Sequence, residues 1–282
     1  MILKGKPVAD QIKEDMIEKV QQYKSLGIVP KLAILRVGNR PDDLAYEARV
    51  LKNCESMGIL GETVVVDENI NMVNLKNRLE GLNLDKDVHG ILVFRPLPKH
   101  LSEEELCESI DPQKDIDCMS PVNTGKVFLG DPTGFSPCTP EAVIEILKFY
   151  GYSLMGKNVA IVNRSMVLGK PLSMLFLNEN STVTVCHSKT KNLERLTSNC
   201  DIVVTGVGKG KFFTPNYFSS KTTVIDVGIN FEDGSLCGDV DYDNTEGRVM
   251  AITPVPGGVG TVTSMILLRH ILRGIELQKN QI

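Results

Sequence analysis

Short apolar runs alternate with amphipathic stretches along almost the whole chain, and that alternation limits the fold more than any other feature. Lys31-Leu-Ala-Ile-Leu-Arg-Val37 reads as a buried strand, and residues 61–67 and 88–94 read as two more. Between and before them lie helical patterns. Residues 8–26 carry Val8, Ile12, Met16, Val20 and Tyr23 on one stripe, closed by Gly27, and residues 42–57 end at Gly58, followed by a third pattern over 72–82. Strands that alternate with helices predict a parallel α/β sheet. Pro137-Cys-Thr-Pro-Glu141 then opens a further helix, with Thr139 as the expected N-cap, Pro140 at the first helical position and Glu141 on the positive end. A second series follows Gly151, with strands expected over 159–162, 182–186, 202–205 and 223–227. A last helix is expected over 262–277, packing back on the first series. The fold class is therefore α/β, with two domains facing across a cleft.

Composition narrows the functional classes. The net charge is −4, without a long run of one sign, so nucleic acid and anionic membranes are not expected partners. The sequence holds no apolar run of bilayer length, and Met-Ile-Leu-Lys-Gly-Lys lacks the apolar core of a secretion signal. Seven scattered cysteines without a C-x-x-C pair point to free thiols in a reducing cytoplasm. The four histidines are not paired at ligand spacing, so no metal is expected.

Two segments carry chemistry. Asn158-Val-Ala-Ile-Val-Asn-Arg-Ser-Met-Val-Leu-Gly-Lys-Pro171 reads as a strand, a turn and a helix start, the arrangement that binds phosphate through open N–H groups. The G-x-G-x-x-G pattern is missing, and Asn163 and Ser165 stand at the tight-turn positions. Asparagine tolerates left-handed backbone, which keeps such a turn feasible. The next strand ends in His187-Ser-Lys-Thr190 and lacks the carboxylate that holds the ribose of NAD. Arg164 and Ser188 can instead receive a 2′-phosphate, which favours NADP; the alternative is that His187 and Lys189 are simply solvated loop residues. The second segment is Ala251-Ile-Thr-Pro-Val-Pro-Gly-Gly-Val-Gly-Thr261. Its prolines and glycines exclude a helix interior or a central strand, leaving a stiff, shaped loop. On its own that loop is equally well a strand-to-helix connector.

That loop resembles the Pro-Val-Pro-Gly-Gly-Val-Gly-Pro-Met-Thr signature of the bifunctional methylenetetrahydrofolate dehydrogenase/methenyltetrahydrofolate cyclohydrolase family. Matches to the same family run in order along nearly the whole chain. They include Asp115-Ile-Asp117 with Pro121-Val-Asn123 and Gly125, Pro137-Cys-Thr-Pro140, Val162-Asn-Arg-Ser165 with Val167 and Gly169-Lys-Pro171, Thr184-Val-Cys-His-Ser-Lys-Thr190, Val224-Ile-Asp-Val-Gly-Ile-Asn230 and Gly238-Asp-Val240. The resemblance implies a homodimer of two-domain subunits. Residues 1–138 with 261–282 would form the folate and catalytic domain, and 139–260 a Rossmann-type NADP-binding domain. It implies oxidation of a tetrahydrofolate derivative, 5,10-methylenetetrahydrofolate, by hydride transfer, then hydrolysis of the methenyl product to 10-formyltetrahydrofolate. Carried over residue by residue, Tyr46 lies against the folate ring and Asp117 holds the pterin edge, the two forming the catalytic pair. Pro256, Gly257 and Gly258 line the substrate, while Asn163, Arg164, Ser165, Gly169, Ser188 and Ile229 contact NADP. A core aromatic at Tyr46 and a loop-capping carboxylate at Asp117 are the plainer alternatives.

The chain also departs from that pattern. The family's Y-x-x-x-K helix becomes Tyr46-Glu-Ala-Arg-Val50, so valine stands where the hydrolytic lysine belongs, on the same helix face as Tyr46. Lys52, about 240° round the helix from Tyr46, cannot replace it. Arg49 lies nearer in direction, but its guanidinium stays protonated and is a poor base. The family's L-V-Q-L-P-L-P becomes Leu92-Val-Phe-Arg-Pro-Leu-Pro98, with Phe94 at the glutamine position. Cys118 replaces a glycine, with crowding of the folate pocket by its thiol as the expected effect, and Thr261-Val262 replaces Pro-Met. Dehydrogenase activity with weak or lost hydrolysis is the expectation. The alternatives are a fully bifunctional enzyme and a folate- or nucleotide-binding protein without turnover.

Overall fold

The computed structural model describes residues 1–232 and 234–279. In chain order the elements are α1 (Gly5–Ser25), β1 (Lys31–Val37), α2 (Pro41–Met57), β2 (Leu60–Val66), α3 (Met72–Leu84), β3 (Gly90–Val93), α4 (Glu103–Ser109), α5 (Pro121–Leu129), α6 (Cys138–Phe149), β4 (Asn158–Val162), α7 (Gly169–Asn178), β5 (Thr182–Cys186), α8 (Leu193–Thr197), β6 (Ile202–Thr205), β7 (Thr223–Asp226), β8 (Asn230–Glu232), β9 (Ser235–Cys237), α9 (Tyr242–Thr245), β10 (Ala251–Ile252) and α10 (Val259–Lys279). The chain divides into two compact units. One comprises Met1–Gln11 with Pro137–Ser264, the other Ile12–Ser136 with the segment from Met265.

The unit built on Ile12–Ser136 holds a three-stranded parallel sheet in the order β2-β1-β3. The central strand β1 is buried along almost its whole length, as its unbroken apolar run requires. Local chemistry sets the helix ends. Pro41 opens α2 with Asp42 and Asp43 in its first turn, and Gly58, at φ 72°, closes it by donating its N–H to Cys54 and Glu55 carbonyls. Ser102 and Ser120 cap α4 and α5 by accepting the amides of Glu105 and Asn123. The C-terminal part of α10 packs on this sheet closely enough that a Cβ on Gly274 would lie 2.0 Å from the His89 carbonyl.

The other unit holds a five-stranded parallel sheet in the order β10-β7-β6-β4-β5, and the hairpin β8–β9. Counting from β4, the sheet runs second, first, third, fourth, fifth, so the strand order reverses between β4 and β6. Ligands of open parallel sheets bind at the carboxyl end of such a switch point.

Three details differ from the sequence-based expectation. The first eleven residues fall with the unit of 137–264, not with the first domain. They do so because Ile2 bridges Ile252 in parallel, Leu3 N donates to Ile252 O at 2.8 Å, and Gly5 N donates to Gly257 O at 2.8 Å. The open edge of β10 thus takes up the chain's start. Helix α6 begins at Cys138 with Pro137 as its N-cap, so Thr139 lies inside the helix and makes no cap. Asn163 does not adopt positive φ, so its tolerance of left-handed backbone is not why it occupies the turn.

Candidate functional site

In the three-stranded unit, Tyr46 lies half-buried on α2 and Phe94 follows β3, with their ring centroids 5.3 Å apart. The Arg49 guanidinium sits 5.4 Å from the Tyr46 centroid, one turn along the same helix. Val50 and Phe94 are only 4% and 5% exposed. The two positions that depart from the family's Lys and Gln are therefore apolar and enclosed. Between α2 and β1 lies a pair the sequence reading missed: Arg36 Nε donates to Glu47 Oε2 at 2.6 Å, and Arg36 Nη1 also donates to the Gly38 carbonyl and to Asn39 Oδ1. An arginine inside an otherwise apolar strand was the available signal, since a buried charge requires a partner.

Asp117 pairs with Arg95, Nη2 to Oδ2 at 3.4 Å, with both side chains 30% exposed. Its neighbour Asp115 has a different task. Asp115 is fully buried and accepts from Met119 N, Ser120 N and Asn123 Nδ2. Burial raises its carboxyl to about 6, against the lowering effect of those hydrogen bonds. Asn123 also donates to the Pro112 carbonyl, and His270 Nδ1 lies 2.7 Å from the Ile116 carbonyl. The D-x-D…P-x-N motif therefore separates into a buried brace, Asp115 with Asn123, and a solvent-accessible carboxylate, Asp117. Cys118 adopts φ 55°, the left-handed region that glycine occupies without strain, which explains a glycine at this position. A cavity of about 640 Å³ opens at the carboxyl ends of this sheet beside Gly38–Arg40, Asp67–Asn69 and Pro96–Pro98; Tyr46 and Asp117 do not line it.

In the five-stranded unit, the loop between β4 and α7 lies at the switch point. Asn163 Oδ1 accepts from Ser165 N at 2.7 Å, Ser165 Oγ at 2.8 Å and Gly169 N at 3.0 Å, while Asn163 Nδ2 donates to the Gly206 carbonyl after β6. Gly169 opens α7, and a Cβ there would meet the Asn163 carbonyl at 2.0 Å, so only glycine fits. Arg164 and Ser188 are exposed, as is Ile229 at 63%. The His187–Thr190 turn is closed by His187 N donating to Thr190 Oγ1 and Thr190 N donating to His187 O. No carboxylate follows β5 in this turn.

Pro256, Gly257 and Gly258 follow β10 and belong to this second unit, not to that of Tyr46 and Asp117. Pro256 and Gly257 are exposed, Gly257 with φ 98°, and Gly258 is enclosed, its missing Cβ 2.4 Å from the Pro254 carbonyl. Among the described residues no group of His, Cys, Asp or Glu could hold a metal ion, and no helix is long and apolar enough to cross a membrane.

The catalytic-domain model of tetrahydrofolate dehydrogenase/cyclohydrolase matches residues 3–117, and the NAD(P)-binding-domain model of the same family matches 137–279. A Clostridium botulinum protein named bifunctional protein FolD is 52% identical over 276 residues, covering 98% of each chain. The crystal structure of the Campylobacter jejuni bifunctional FolD superposes with a TM-score of 0.95 at 38% identity, covering 100% of this chain and 99% of that one. The Trypanosoma brucei dehydrogenase-cyclohydrolase, crystallised with NADP and an inhibitor, superposes at 0.91 with 32% identity, covering 100% and 98%. Both domain models match, and the relatives align over nearly the full length: the chain is an enzyme of the tetrahydrofolate dehydrogenase/cyclohydrolase family, with an NAD(P)-binding domain over residues 137–279.

Proposed function

We propose that the protein oxidises 5,10-methylenetetrahydrofolate to the methenyl form with NADP, and that the hydrolytic half of the family's chemistry is weak or lost. The observation that carries this reading is the enclosed apolar pair Val50 and Phe94, with Phe94 against Tyr46, where the resemblance calls for an amine and an amide. The two half-reactions make different demands. NADP supplies the hydride acceptor, and the chain's task is to hold the folate carbon in place. Hydrolysis of the methenyl cation needs a group that moves protons near working pH, worth about 10²–10⁴-fold. Arg49 places its guanidinium over the Tyr46 ring, and a guanidinium is a poor general base.

Tyr46 and Asp117 are the proposed folate-side residues, with Pro256, Gly257 and Gly258. Asn163, Arg164, Ser165, Gly169, Ser188 and Ile229 are the proposed residues of the NADP site, and residues 139–260 its domain. A homodimer, implied by the resemblance, is tested by sedimentation equilibrium. The decisive assay gives purified protein methylenetetrahydrofolate with NADP or NAD and follows reduced cofactor and methenyl absorbance together. Both signals should rise in step and the methenyl signal should persist. Decay of methenyl well above buffer hydrolysis would favour the second reading, a fully bifunctional enzyme, which the names of the relatives support. Binding without reduced cofactor would indicate a non-catalytic protein.

Arg95 deserves its own test, because it places a cation on the carboxylate proposed to hold the pterin. Arg95→Leu is expected to raise KM for the folate about 2- to 5-fold with kcat little changed, the modest effect typical of a part-exposed pair. An equal fall in kcat with unchanged KM would place Arg95 in the chemical step instead.

A further inference from the structure

We propose that Asn163 is a built-in occupant of the phosphate-binding end of α7 and that it holds down affinity for the dinucleotide. The inference rests on the cofactor reading above. After the first strand of a parallel α/β unit, the amides at the start of the helix face the ligand and carry the helix's positive end. One such amide, Gly169 N, and the loop amide of Ser165 just before the helix are already taken by Asn163 Oδ1, and the Ser165 hydroxyl donates to the same oxygen. The other end of the amide donates to Gly206 O, so one side chain spans the switch point from the β4 loop to the β6 loop. Leu168, the N-cap of α7, offers no side-chain acceptor. Asn163 therefore supplies the cap from six residues upstream. A phosphate that is to use these amides must turn Asn163 out and break its bonds. The glycine of the motif this segment resembles would leave the same amides open. The backbone at 163 does not demand asparagine, because its φ is not positive, so alanine fits there without strain.

Two opposite effects follow from removing one side chain. Without its cap the ligand-free protein should be less stable, and with the amides open the dinucleotide should bind more tightly. The test uses the full-length protein, wild type and Asn163→Ala, with Asn163→Gly as a second variant. Thermal melts are recorded without ligand, and titration calorimetry is run with NADP and with 2′-AMP, which has no pyrophosphate. In Asn163→Ala the ligand-free Tm is expected to fall, while the Kd for NADP falls roughly 3- to 10-fold, the effect of one hydrogen bond no longer surrendered on binding. The Kd for 2′-AMP is expected to stay the same. Weaker or unchanged NADP binding in a folded variant would overturn the proposal and make Asn163 a purely structural brace. Equal tightening toward 2′-AMP would also overturn it, since the gain would not come from the pyrophosphate. If neither wild type nor variant binds NADP while both bind NAD, the NADP reading alone fails; the pyrophosphate argument then stands or falls on the same shift measured with NAD.

Discussion

Val50→Lys combined with Phe94→Gln is expected to raise hydrolysis of methenyltetrahydrofolate by about 10²-fold or more over wild type, the lower range of what positioned acid–base groups contribute. Val50 is 4% exposed and Phe94 is packed on Tyr46. A lysine introduced alone would put an ammonium into an apolar enclosure, where burial lowers its pKa and its charge lacks a partner. Glutamine alone would bury an amide with the same shortage. Each single variant is therefore expected to lose stability and to gain little activity, whereas the double variant restores together the two polar groups that the family resemblance implies work as a unit. The gain should be strongly non-additive, and that is its diagnostic feature. Arg49→Ala should leave the low hydrolysis rate where it is, because a guanidinium above the Tyr46 ring is not a base. Stopped-flow decay of methenyl absorbance, alongside a dehydrogenase assay to confirm an intact site, measures wild type and all four variants. A folded double variant that oxidises its substrate and still fails to hydrolyse would show that the pocket has diverged beyond these two positions.

The same region shows what a sequence discloses and what it withholds. The parallel sheets are legible because strands such as β1 are buried on both faces and therefore read as unbroken apolar runs. Helix ends are legible where one residue decides them, as with Gly58. Val50 and Phe94 can be found because a motif states which residue is missing. Arg36–Glu47 and Arg95–Asp117 are different, because their partners lie 11 and 22 residues apart and meet only through the fold. The position of residues 1–11 is hidden for the same reason: it depends on an edge of β10 that exists only once the five-stranded sheet has formed. Asn163 was visible as a departure from glycine, but its use as a cap across two loops required the positions of Gly169 and Gly206.

Asp239→Ala is expected to cost about 2–3 kcal/mol of stability, the range for taking the acceptor from several hydrogen-bond donors at once, and to lower Tm by roughly 6 °C. Asp239 is fully buried, and the Gly238-Asp-Val240 match marks it without giving it a role in the chemistry. Its carboxylate accepts from three successive backbone amides after β6, those of Val207, Gly208 and Lys209, and from Asn230 Nδ2. Asp226 works beside it. It accepts from the amides of Gly228, Asp239 and Val240 and from the Thr205 hydroxyl, and burial pushes its carboxyl up to about 6. Together the two acids tie the ends of β6 and β7 to the segment after β9. They also explain the glycines of Asp226-Val-Gly228 and Gly238-Asp239. A Cβ at Gly228 would lie 2.3 Å from Asp239 Cγ, and one at Gly238 would lie 2.0 Å from Asp226 Oδ2. Alanine at 239 removes one acceptor shared by four part-buried donors, and the amides of the exposed residues 207–209 must then turn to water. Asn at 239 keeps one acceptor oxygen and should recover part of the loss. Hydrogen exchange separates this account from a general loss of packing: the amides of 207–209 should lose protection first, ahead of those in β4 and β6. A variant that melts within 2 °C of wild type, with those amides still protected, would show that water replaces the carboxylate there at little cost.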